Sequence, residues 1–132
     1  MALIELDESW EEYDSEEERR RLEKFPLIER EKVSAQVTNW DEEVSKKGNP
    51  MIVWEMTVIN DPEYSGKTLN LWTPTTGRGK YVLRNFLEAS GVKRIGKTLE
   101  PEKVLGKVVT LHLSIGVTDD GRKFTQVDGV TS

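Results

Sequence analysis

Apolar and polar side chains alternate most clearly from Arg30 to Trp40, where Val33, Ala35 and Val37 fall on one side and Ser34, Gln36, Thr38 and Trp40 on the other. A period of two over this length predicts a strand with one buried face. The stretch DEEVSKKGNP reads as a loop, with Gly48-Asn49-Pro50 as its turn signal. A second strand is predicted from Met51 to Asn60. Its face of Ile52, Trp54, Met56 and Val58 is wholly apolar, which places Trp54 in the core; Met51, Val53, Glu55 and Thr57 lie opposite. DPEYSG turns the chain into a third strand over 67–73, with Leu69 and Leu71 inward and Thr68, Asn70 and Trp72 outward.

Beyond PTTG the period changes. Val82, Leu83, Phe86, Leu87 and Ser90 recur at helical spacing and predict a helix over 78–90, with Lys80, Arg84 and Glu88 on its polar face and Tyr81 at that face's edge. Gly91 suits the helix stop. Alternation returns from Val108 to Val117, with Val109, Leu111, Leu113 and Ile115 expected inside and Thr110, His112 and Ser114 outside. TDDGR carries an Asp-Gly hairpin signal. A last strand, Lys123 to Val130, puts Phe124, Gln126 and Asp128 on one face. The order β-β-β-α-β-β is typical of the OB-fold, a five-stranded, partly open Greek-key barrel.

A chain of 132 residues suits one such domain, expected over 26–132. Residues 1–25 form an acidic N-terminal extension. Ser15 with Glu18 has capping-box spacing, and Glu16–Arg20 and Glu17–Arg21 favour a helix over 15–24. Residues 1–24 carry ten acidic and four basic side chains, and the rest fourteen and fifteen, so the net charge of −5 hides a near-neutral body. Residues 64–99 hold seven basic residues against Glu88 alone. A locally basic surface attracts polyanions even on an acidic protein. Cysteine is absent, which excludes disulfides and thiolate chemistry and fits a reducing, cytoplasmic setting. No apolar run is long enough to span a membrane, and no secretory signal is expected at the acidic start.

Catalytic chemistry finds little footing. His112 is the sole histidine and has no nucleophile at a telling spacing. GRGKY at 77–81 fails as a phosphate loop, because Pro74 and Tyr81 stand where glycine and Ser or Thr are needed. Asp119, Asp120 and Gly121 are explained by a tight turn rather than a calcium loop. No enzyme activity, metal or cofactor is expected.

What remains is aromatic side chains among basic ones. Rings stack on unpaired bases whatever the sequence, and cations neutralise phosphates. Trp40, Trp72 and Phe124, from the first, third and fifth strands, are expected to form a stacking platform. Lys46 and Lys47 in the first hairpin loop, and Arg122 and Lys123 in the last, are expected to flank it. Lys67, Arg78, Lys80 and Arg84 add charge beside Trp72 and Tyr81.

The segments KKGNPMIVWEMTVINDPEYSGKTLNLWTP, KYVLRNFLEASGV and LGKVVTLHL carry a further signal in their order. Together they resemble a phage-encoded family of OB-fold proteins with single-stranded-DNA-binding character, long catalogued as a domain of unknown function. The shared features are Gly48 to Trp54, Tyr64 to Lys67, Leu83 to Gly91 and Leu105 to Lys107. The acidic head and the glycine-rich GRGK depart from the pattern. The resemblance implies a single-stranded-DNA partner and a place in replication or recombination, with proteins of those processes as further partners. A protein-interaction module, such as an assembly factor or an inhibitor of a host enzyme, is the alternative on the same fold. The head is also a candidate DNA mimic, with Trp10 or Tyr13 in a base pocket.

Overall fold

A computed structural model describes residues 26–93 and 96–132. Trp10, Tyr13 and the helix expected over 15–24 lie outside the described residues. The described chain forms β1 (Lys32–Val44), β2 (Pro50–Ile59), β3 (Thr68–Pro74), α1 (Lys80–Ser90), a 3-10 turn (Pro101–Lys103), β4 (Val108–Val117) and β5 (Lys123–Thr131). The strands make one antiparallel sheet in the order β3-β2-β1-β4-β5. β1 is its hub: Lys32 to Gln36 pair with β4, and Ser34 to Val44 pair with β2. Among the described residues no helix is long and apolar enough to cross a membrane.

The core follows from the alternation. Val33, Ala35 and Val37 of β1, Trp54, Met56 and Val58 of β2, and Val109 and Leu111 of β4 are all buried on one side of the sheet. α1 packs over β3 and β5 and presents Phe86 and Leu87, with Val82 and Leu83 at the cluster's edge. Trp54 is fully buried, its ring 4.9 Å from that of Phe86 between centroids. A buried indole N–H needs an acceptor. Trp54 Nε1 donates to Thr73 Oγ1 at 2.9 Å, and Thr73 passes the bond on to the Ile52 carbonyl at 2.8 Å.

α1 starts at Lys80, two residues later than its spacing predicts. The helix N-cap Gly79 packs against Pro74, and a Cβ there would stand 2.8 Å from the proline ring. Its glycine therefore serves a close approach of backbone to the end of β3. Gly91 ends the helix at φ 76, its N–H donating to Glu88 and that of Val92 to Leu87. These two bonds are the Schellman pattern, which satisfies the last free carbonyls.

The alternation fails in β1 and toward the end of β4. Val37 pairs with Met56 and Asn39 with Glu55, so Thr38 is an extra residue, a β-bulge. Thr38 and Asn39 both fall on the outer side, Thr38 bonding Glu55 and Thr57. The bulge turns every later β1 side chain over. Trp40, expected outside, faces Trp54 across the ladder and packs against the core. β1 also runs on through Asp41–Val44, which the sequence placed in a loop, because these residues pair with Pro50–Val53. Ile115, expected inside, is 39% exposed. β1 stops opposite His112, so the β4–β5 hairpin projects past the sheet and its inner side loses its cover.

The two long hairpins share one turn design. Gly48 at φ 84 donates to Ser45, whose hydroxyl accepts from Asn49; Gly121 at φ 84 donates to Thr118, whose hydroxyl accepts from Arg122. The β2–β3 turn is an acid-centred clamp. Asp61 Oδ1 accepts from the N–H groups of Glu63 and Tyr64, while Asp61 Oδ2 holds Arg30 at 3.1 Å. The two backbone N–H groups, with Arg30 assisting, hold the Asp61 carboxyl below its usual range. Arg30 also lies 4.8 Å over the Tyr64 ring, so the entry to β1 is fastened to this turn.

Candidate nucleic-acid interface

The sheet coils until its edge strands face each other. β3 and β5 line one groove of about 530 Å³. Its floor is apolar, with Leu69, Leu71 and Val127. Pro26, Thr68, Asn70, Trp72, Phe124, Thr125 and Gln126 complete the lining, and no charged side chain contributes.

Trp72 and Phe124 are the rings this groove displays, 42% and 38% exposed. Each is placed by its neighbour across the ladder. Trp72 pairs with Val53, which is buried although it lies on the outer side of the sheet. Phe124 pairs with Gly116, and the end of its ring occupies the space a Cβ at Gly116 would take. Glycine in this strand lets the ring lie down on the backbone. Trp40, the third ring of the expected platform, is on the core side and does not join them. Its strand was read correctly, but the bulge reversed its facing.

The cations sort to the two ends of the sheet. β1 pairs antiparallel with β2, and β2 with β3, so the β1–β2 turn carrying Lys46 and Lys47 lies at the end where β3 finishes. Arg78, Lys80, Tyr81 and Arg84 lie beyond the same end of β3. They line a separate hollow of about 410 Å³ between the 75–79 loop and α1, and Tyr81 is 59% exposed among them. Lys67, immediately before β3, and Lys123, which opens β5, mark the opposite end of the groove, with Arg122 in the turn just before. Arg122 pairs with Asp120 at 3.1 Å inside that turn. The Thr118 hydroxyl and then Arg122 hold the Asp120 carboxyl below its usual range. The lining of the groove is thus neutral, and the basic residues stand toward its ends.

Three contributors escaped the sequence reading. Asn70 and Gln126 flank the two rings with amide groups on the same groove. The signal was available, since each lies two residues from an outward ring. Glu43 accepts from Trp72 Nε1 at 3.0 Å, with Asp41 on the same side of β1. It was hidden because the acidic stretch was read as loop. His112 shares a hydrogen bond with Thr131 at 2.9 Å. Among the described residues no group of three or more His, Asp or Glu side chains is placed to hold a metal ion.

No protein-family model matches the chain, and no curated protein matches its sequence.

Proposed function

We propose that the chain is a non-enzymatic, sequence-tolerant single-stranded-DNA-binding protein of phage replication or recombination, folded as an OB-fold Greek-key barrel left open between β3 and β5. The strand order, with β1 shared by β2 and β4 and a helix between β3 and β4, supports this topology. The motif order that resembles the phage family supports the same class.

One observation carries the functional reading: Trp72 and Phe124, far apart in sequence, stand exposed on one groove. Unpaired bases stack on such rings at about 1–3 kcal/mol each, and a neutral lining suits bases better than phosphates. The phosphate chain then leaves the groove toward Lys67 and Lys123 at one end, and toward Lys46, Lys47, Arg78, Lys80 and Arg84 at the other. Titration of end-labelled oligo-dT at low salt tests this. Saturable binding is expected, weakening with salt with a log–log slope of about −2, the value for three phosphates at ~0.7 each. No binding, or binding indifferent to salt, overturns it.

The uncharged lining favours a second reading, a protein-interaction module taking an extended polypeptide between two strand edges. Capture of a protein that survives nuclease, with no oligo-dT affinity, selects this reading instead.

A further inference from the structure

The route by which the described chain enters the fold bears on what fills the groove. Pro26 is buried and lines the groove itself. Its carbonyl accepts from Thr125 Oγ1 at 2.8 Å, and that hydroxyl oxygen in turn accepts from Ile28 N–H at 2.8 Å. One β5 hydroxyl thus pins residues 26–28 to the third residue of that strand. Ile28 is fully buried, so the anchor is firm. Residues 1–25 therefore depart from the groove, not from a remote face.

The surroundings of that exit lack cover. Thr125 pairs with Ile115, and the inner side of the projecting hairpin leaves Ile115 39% and Val117 62% exposed. The groove beside it has an apolar floor and two exposed rings. Lys67, Arg122 and Lys123 stand at this end of β3 and β5. The segment that leaves here carries six net negative charges over residues 1–24, and it contains Leu22, Phe25, Trp10 and Tyr13. Apolar side chains meet an apolar groove, and acids meet the cations at its mouth.

Reach is sufficient. The seven residues of β3 span about 23 Å at ~3.3 Å each. If residues 15–24 are helical, as their capping box and charge spacing predict, that stretch covers roughly 15 Å at ~1.5 Å per residue. Trp10 and Tyr13 then arrive within the length of the groove.

We propose that the groove between β3 and β5 is the docking site for residues 1–25 of the same chain, which cover Trp72 and Phe124 with Trp10 and Tyr13 and leave when a ligand competes. The docking rests on the groove and the anchor. Only the competition with nucleic acid rests on the functional reading above. The device sets a threshold: the apparent affinity of any groove ligand falls by the fraction of molecules with the head docked.

The chain has no cysteine, so Glu12→Cys gives a single site for a nitroxide label on the full-length protein. Paramagnetic loss of amide signals is then mapped by NMR. Docking predicts strong loss at Asn70, Trp72 and Gln126 and far weaker loss at Glu88 on the exposed side of α1. Adding Trp10→Ser to the labelled chain restores the lost signals. Absence of loss in the groove, or equal loss over every surface, overturns the proposal. So does loss that persists when label and isotope are placed on separate molecules, which assigns the groove to a second copy. Oligo-dT is added last. Recovery of the groove signals supports the competition, while failure of oligo-dT to bind overturns the nucleic-acid reading and leaves the docking result standing.

Discussion

The indole N–H of Trp72 donates to the carboxylate of Glu43 at 3.0 Å, so an acid from β1 fixes the edge of the ring that β3 offers to solvent. The contact holds the ring plane at the groove, and it also sets a negative charge beside the ring. Glu43→Gln keeps an acceptor and removes the charge. Oligo-dT affinity at low salt is expected to rise about threefold, a size usual for one exposed charge pair. An unchanged Kd places the phosphate path elsewhere.

Trp54 holds the structure together and its neighbour Thr73 makes that burial affordable. Thr73→Val preserves shape but leaves the indole N–H without its acceptor and the Ile52 carbonyl without its donor. A loss of about 1–3 kcal/mol is expected in urea unfolding. Trp54→Ala, which also opens a cavity against Phe86, is expected to cost about 3–5 kcal/mol and unfold much of the population. Trp72→Ala should change stability far less.

Gly116 positions Phe124 and touches no ligand in this account. Gly116→Ala pushes the ring off the backbone it rests on. The expected result is weaker oligo-dT binding, matching Phe124→Ala, with thermal unfolding little changed. The double variant should bind no more weakly than Phe124→Ala, since both act through one ring. Additive losses contradict the positioning role.

Asp61 gives the fold an acid limb. Its carboxyl is held low by the Tyr64 and Glu63 N–H groups and by Arg30, so the folded state favours the ionised form. That contribution is complete above the unfolded-state Asp range, about pH 4, and disappears as pH falls through the lower folded value. Asp61→Asn retains an oxygen for the turn but cannot ionise. Unfolding measured from pH 6 down to pH 2 should show a shallower acid decline for the variant. Parallel curves contradict the assignment.

Most of the sheet was legible because its strands keep one apolar face over long stretches, as in Ile52, Trp54, Met56 and Val58. The helix was legible from Val82 to Ser90 and from the glycine that follows. Trp40 was not, because a bulge adds one residue without any compositional mark, and Thr38 bonds outward as an ordinary strand threonine does. The run Asp41–Val44 resisted for another reason: acids are poor strand formers, and only pairing with Pro50–Val53 holds them extended. Of the site, Trp72 and Phe124 were readable as outward rings. Their meeting on one groove depends on how the sheet coils, which no local pattern encodes. The cation sorting likewise follows from strand direction, not from spacing along the chain.

The most direct test follows indole N–H signals in the full-length protein while oligo-dT is added. Trp72 should shift together with the side-chain amides of Asn70 and Gln126, while Trp54, bonded to Thr73 in the core, stays in place. A titration that leaves Trp72 where it began, whatever else moves, contradicts a nucleobase site between β3 and β5.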